Sequence, residues 1–188
     1  MNAFPSGLRR LYHAIFILIF IALARQVWAD DPQLGLLENA QGIVDLHLCA
    51  DRRLGVELLC NRSWQQDVDR KEAVMMVIQQ DPAVLLTVAR INEPVTGIDE
   101  LTEAMVRMLG QYANGFKYTR LEVNGLPAVK VEGFSQDFPE MRLMDYYVVH
   151  DYRVYSFMFS VNPKDEWPNY SVLFDKIAES IRIIGDKI

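Results

Sequence analysis

The sequence predicts an α+β domain built on a mainly antiparallel sheet, and three observations carry that prediction. Short alternating apolar runs are separated by tight-turn residues, which joins neighbouring strands as hairpins. Two amphipathic runs, one from Asp99 and one from Pro168, each follow a block of strands and can cover a sheet face. The densest aromatic stretch, Met141 to Val161, is apolar on both alternating faces, so its strands need cover on both sides. At 188 residues, 51% hydrophobic and 23% charged, the chain is long enough for one domain with a core.

The start of the chain has a different composition. Arg9 and Arg10 precede an apolar run from Leu11 to Ala24, and Val27-Trp28-Ala29 offers small residues where a signal peptidase cuts. The expectation is a signal peptide over 1–29, cleaved after Ala29, and a periplasmic or secreted product that meets the membrane only in transit. The alternative is an uncleaved anchor, although the run is shorter than the roughly 20 residues a spanning helix needs. Without Arg9, Arg10 and Arg25 the mature charge is (19 − 3) − 25 = −9, which disfavours nucleic-acid and anionic-lipid partners.

Residues 30–42 read as a lead-in, either a short helix or a tail. Ile43, Val44, Leu46 and Leu48 predict a strand, Asp51 to Leu54 a solvated turn, and Val56 to Leu59 a second strand running into Asn61-Arg62-Ser63-Trp64. The run Glu72 to Gln79 suits helix or strand, and Ala83 to Asn92 is a strand. Asp99 to Ala113 predicts a helix with Asp99 as N-cap, Asn114-Gly115 as C-cap, and Leu101, Ala104, Met105, Met108, Leu109 and Tyr112 on one face. The methionines there read as core packing. Pro168 opens a last helix that buries Tyr170, Leu173, Phe174, Ile177, Ile181 and Ile184.

The segment "RLEVNGLPAVKVEGF" (120–134) sets a register. With Asn124-Gly125 as the centre of a type I′ turn, Val123 faces Leu126, Glu122 faces Pro127, and the pairing continues to Lys117 with Glu132 and Phe116 with Gly133. Proline has no N–H to give a further strand, so the tip should overhang the sheet and residue 127 should pair on one flank alone.

As an ordered set, "NRSW", "NGLPA", "YRVYSFMFSV" and "FDKIAESIRI" resemble the PsbP-like superfamily, which includes the photosystem II extrinsic subunit, Mog-type Ran-binding proteins and bacterial DcrB-like proteins. The resemblance spans about 43–184 and implies an α/β/α sandwich over 43–188, with a central antiparallel sheet covered by helices. It also implies a module that binds or helps assemble other proteins, with no catalytic residue to carry over. Cys60-Asn61 stands where such chains usually have a proline before the Trp. No histidine set matches the metal sites of plant members, so photosystem binding is not implied. Some cytoplasmic bacterial relatives chaperone apolar segments of secreted effectors, and the export signal argues against that role.

Candidate chemistry is sparse. Cys49 and Cys60 form a disulfide or remain structural thiols; the sharper reading, a nucleophile, draws on His47 sharing a strand face with Cys49. His150 beside Asp151 reads as an exposed turn pair, and the acids Asp99, Glu100 and Glu103 complement a helix dipole. No catalytic residue, metal ligand set or cofactor is expected. The candidate binding residues are Asn124, Gly125, Leu126 and Pro127 at the hairpin tip, with Tyr146 and Tyr152 from the aromatic cluster; the partner expected is a protein. A carrier of a small apolar ligand and a thiol-dependent hydrolase are the alternatives.

Overall fold

The computed structural model describes residues 33–39, 42–69, 74–80, 82–91, 95–135 and 138–184, so the expected signal peptide lies outside the described residues. Along the chain come β1 (Gln33–Asn39), β2 (Gly42–Asp51), β3 (Val56–Asn61), β4 (Gln65–Asp69), β5 (Val74–Gln79), β6 (Ala83–Ile91), α1 (Ile98–Tyr112), β7 (Ala113–Val123), β8 (Leu126–Ser135), β9 (Arg142–His150), β10 (Arg153–Asn162), a single 3-10 turn (Lys164–Glu166), α2 (Trp167–Glu179) and β11 (Arg182–Ile183). The α+β class and the antiparallel pairing are as expected. The single central sheet is not: the strands divide into a four-stranded sheet, β1-β2-β3-β11, and a seven-stranded sheet, β4-β5-β6-β10-β9-β8-β7.

Three strands that alternation does not announce form sheet edges: β1 and β11 flank the small sheet, and β4 ends the large one. The lead-in, expected as helix or tail, pairs its backbone with β2 as β1. Residues 182–183 leave the expected final helix and pair with β3 as β11. The polar β4 pairs with β5, and β5 makes Val74–Gln79 of the ambiguous run a strand. Backbone groups at an open sheet edge are unsatisfied until another segment pairs with them, and that demand overrides weak local propensity.

Two apolar clusters occupy opposite faces of the large sheet. On one face, Leu101 and Met105 of α1 pack on Ile91, Val129, Val131, Tyr147 and Val154. On the other, Tyr170, Leu173, Phe174 and Ile177 of α2 meet Tyr146, Phe157 and Phe159 of the large sheet and Leu46, Val56 and Leu58 of the small one. Phe174 is the hub: its ring stacks on Phe159 at 4.9 Å and lies 5.8 to 6.4 Å from Trp167, Tyr170 and Trp64. The Trp64 indole N–H donates to Gln79 Oε1 at 3.0 Å, and Gln79 Nε2 donates to the Tyr170 hydroxyl at 2.8 Å. The aromatic residue after the first hairpin is thereby tied to α2.

Several local expectations change. Asp99 does not cap α1; the hydroxyl and backbone N–H of Thr96 both bond Glu100, and Asp99 reaches across to Arg120 at 2.6 Å. Asn114-Gly115 is not a C-cap, because α1 passes directly into β7 and Asn114 pairs with Phe134 ahead of a register shift. That irregularity absorbs the glycine and displaces the expected Phe116–Gly133 pair. Leu101 and Met105 are buried and Ala104 is half-buried, while the side chains of Met108, Leu109 and Tyr112 lie outside those described. Ile181 is buried just beyond α2, but Ile184 is exposed. The turn at Asp51 is not simply solvated: Asp51 is buried and accepts from the backbone N–H groups of Arg53 and Leu54 and from the Arg53 guanidinium.

Candidate functional site

Two hairpin tips carry most of the residues singled out from sequence. In the first, Asn124 and Gly125 both adopt positive φ, 48° and 76°, as a type I′ turn requires. Every expected pair from Lys117–Glu132 to Val123–Leu126 is present. Pro127 pairs with Glu122 alone, since β8 meets β9 only from Ala128 onward. The overhang has a use within the fold. Asn124 Nδ2 donates to the carbonyls of Glu179 at 3.2 Å and Ile181 at 2.5 Å, so the tip closes the C-terminal end of α2. Leu126 packs at the rim of the α2-side core, and Pro127 is exposed.

Tyr146 and Tyr152, paired in the sequence reading, separate. Tyr146 is buried, its ring edge-on to Phe159, and its hydroxyl donates to Asp175 of α2. Burial and the adjacent Asp175 carboxylate push the phenol well above its usual range. Lys130 joins the same carboxylate at 2.7 Å. Tyr146 therefore fastens α2 to the sheet. Tyr152 sits at the second tip, between the paired residues His150 and Arg153, and is 72% exposed. Asp151 and Tyr152 both have positive φ, 49° and 59°, which makes this turn the same class as the first without an asparagine or glycine in it. His150 Nε2 lies 3.4 Å from the Asp151 carboxylate.

Cys49 and Cys60 are joined by a disulfide between β2 and β3, Cα atoms 5.8 Å apart, and both are buried. His47 Nε2 does lie 3.6 Å from Cys49 Sγ, but that sulfur is bonded. Burial, then the nearby Arg62 charge, lowers the His47 pKa. Among the described residues, no group of three or more His, Cys, Asp or Glu side chains could hold a metal ion.

Sequence reasoning missed two charged residues of β9. Asp145 is buried on the α1 face; burial raises its carboxyl to about 6, against hydrogen bonds from Tyr147, from the Ser156 hydroxyl at 3.0 and 3.1 Å and from the Phe157 backbone. Thr87, across β10 from it through Met158, is buried with its hydroxyl unpartnered. Arg142, on the α2 face, lies over the Trp167 and Phe134 rings at 4.6 and 5.4 Å. The available signal was a charge inside a strand whose neighbours are apolar on both faces.

A solved structure similar to this chain is cyanobacterial PsbP from Synechocystis sp. PCC 6803, with a TM-score of 0.55 and 15% identity over 82% of this chain and 98% of that one. The chain has a PsbP-like fold. A protein of unknown function from Pseudomonas aeruginosa, PA94, is also similar, at TM-score 0.46 and 12% identity over 71% of this chain and 94% of that one. No family model matches the sequence, and no curated protein matches it. The likeness takes in almost the whole cyanobacterial chain and most of this one, far more than a single hairpin.

Proposed function

We propose that this protein is an exported, non-enzymatic module that binds or assembles a protein partner in the bacterial periplasm, with the β9–β10 tip as a contact point. The observation that carries the reading is Tyr152: a bulky aromatic held at φ 59° and 72% exposed. A non-glycine residue in the left-handed region costs roughly 1 to 2 kcal/mol, and an exposed aromatic adds no burial to offset it. Tyrosine is enriched where proteins meet, because it brings a large rigid contact area with a polar end. The disulfide suits an oxidising compartment, as the basic and apolar start of the chain does. The resemblance to a superfamily of binding and assembly proteins points the same way.

The test separates stability from binding. A photo-crosslinking amino acid at 152 should capture one stoichiometric partner from the native envelope, while the same group at the exposed Val172 on α2 should not. Tyr152→Asn should melt at the same temperature or higher and lose most of the partner. Undiminished partner recovery by Tyr152→Asn removes this reading of the tip.

A further inference from the structure

We propose that Arg142 is a binding site for a single carboxylate group. Arg142 opens β9 and pairs directly with Phe134 of β8 in the sheet register. Its guanidinium lies over the ring of Phe134, which is 36% exposed, and over the buried Trp167 that begins α2. Such stacking fixes the plane of the guanidinium and leaves its edges as the polar surface. Its Nε is buried and has no hydrogen-bond partner, and among the described residues no acidic group pairs with its terminal nitrogens. A buried donor with no acceptor is disfavoured, and methionine or leucine at 142 could cover Trp167 without it. A planar fork held flat by aromatic rings is the arrangement that receives a carboxylate through two parallel bonds.

Local charge selects among oxyanions. Lys164, three residues before Trp167, is engaged by Glu140 at 3.1 Å, whereas among the described residues Arg142 has no acidic partner. A monoanion balances that charge, whereas a phosphate dianion would face Glu140 with too little positive charge to hold it. The exposed Phe134 ring supplies an apolar wall for whatever carries the carboxylate. This site is independent of Tyr152: eight residue steps along β9 separate Arg142 from the second tip, about 26 Å at strand rise.

The experiment uses the disulfide-bonded protein and follows the Arg142 Nε–H and Trp167 indole N–H resonances. Sodium acetate, acetyl-diglycine with a free carboxylate, its C-terminal amide and inorganic phosphate are titrated in turn, against sodium chloride at matched ionic strength. Acetate and acetyl-diglycine should shift both resonances saturably, and the ratio of their affinities reads whether a small acid or a polypeptide end fits better. The amide, and either carboxylate on Arg142→Lys, should bind at least about ten-fold more weakly, because the charge or the planar fork is gone. Arg142→Met should abolish the effect; if that variant does not fold, Arg142→Lys decides. Shifts that follow ionic strength alone, survive Arg142→Lys unchanged, or saturate more tightly with phosphate than with acetate would overturn the proposal. Asp137, five residues before Arg142, lies outside the described residues; an Asp137→Asn variant that by itself, without added anion, moves the Arg142 Nε–H as much as saturating acetate does in the parent protein would overturn it too.

Discussion

The two hairpin tips share a backbone conformation and differ in everything built on it. Asn124-Gly125 places in the left-handed region the residues that tolerate it best, and spends the asparagine amide on the carbonyls of Glu179 and Ile181. Asp151-Tyr152 makes the same turn with a tyrosine where glycine is favoured, and the tyrosine ring stands in solvent. In the first tip, local preference and global packing agree. In the second they conflict, and conflicts of that kind concentrate where a surface serves something outside the fold.

Exchanging the tips tests that contrast at its strongest. Writing Asp-Tyr at 124 and 125 puts a carboxylate against the C-terminal end of α2 and a bulky residue at φ 76°; the expected loss is about 3 kcal/mol, read as a lower urea midpoint. Asn124→Ala removes both carbonyl contacts and should cost about 2 kcal/mol, with Asn124→Asp worse than Asn124→Ala if the helix end matters. Gly125→Ala meets nothing within 4 Å, so its expected loss of about 1 kcal/mol is purely conformational. The reverse exchange, Asn-Gly at 151 and 152, should raise stability by about 0.5 to 1 kcal/mol while removing the aromatic contact. Losses of equal size at both tips would show that their difference is only apparent.

The register of the first hairpin was legible because a two-residue turn with a strong preference fixes every pair behind it. It failed only where the β7 irregularity between Asn114 and Lys117 intervenes, which no local residue type announces. The helices were legible from the spacing of Leu101 and Met105 and of Tyr170, Leu173, Phe174 and Ile177. The second sheet was not. Its β11 is two residues long and carries no alternation signal, nor does β4, "QQDVD", at the edge of the large sheet; each exists because a neighbour's edge needs pairing. The same reason hid Arg142 and Asp145. A charge in a strand reads as the solvent side until one knows that α2 and α1 lie against opposite faces. Tyr152 was named beside Tyr146 because both belong to one aromatic run; only the turn at 151–152 separates the buried ring from the exposed one.

The outer edge of β3 is completed from far along the chain. Ser180 Oγ accepts the Leu59 N–H at 2.8 Å across a separation of 121 residues, Arg182 and Ile183 pair with Glu57 and Val56, and the Ile184 N–H reaches the Gly55 carbonyl. At ribosomal speeds that stretch takes roughly 6 to 25 s to synthesise. Throughout that interval the outer edge of β3 lacks the segment that pairs with it in the finished fold. The same open edge would invite strand exchange between neighbouring chains if synthesis stopped at Glu179.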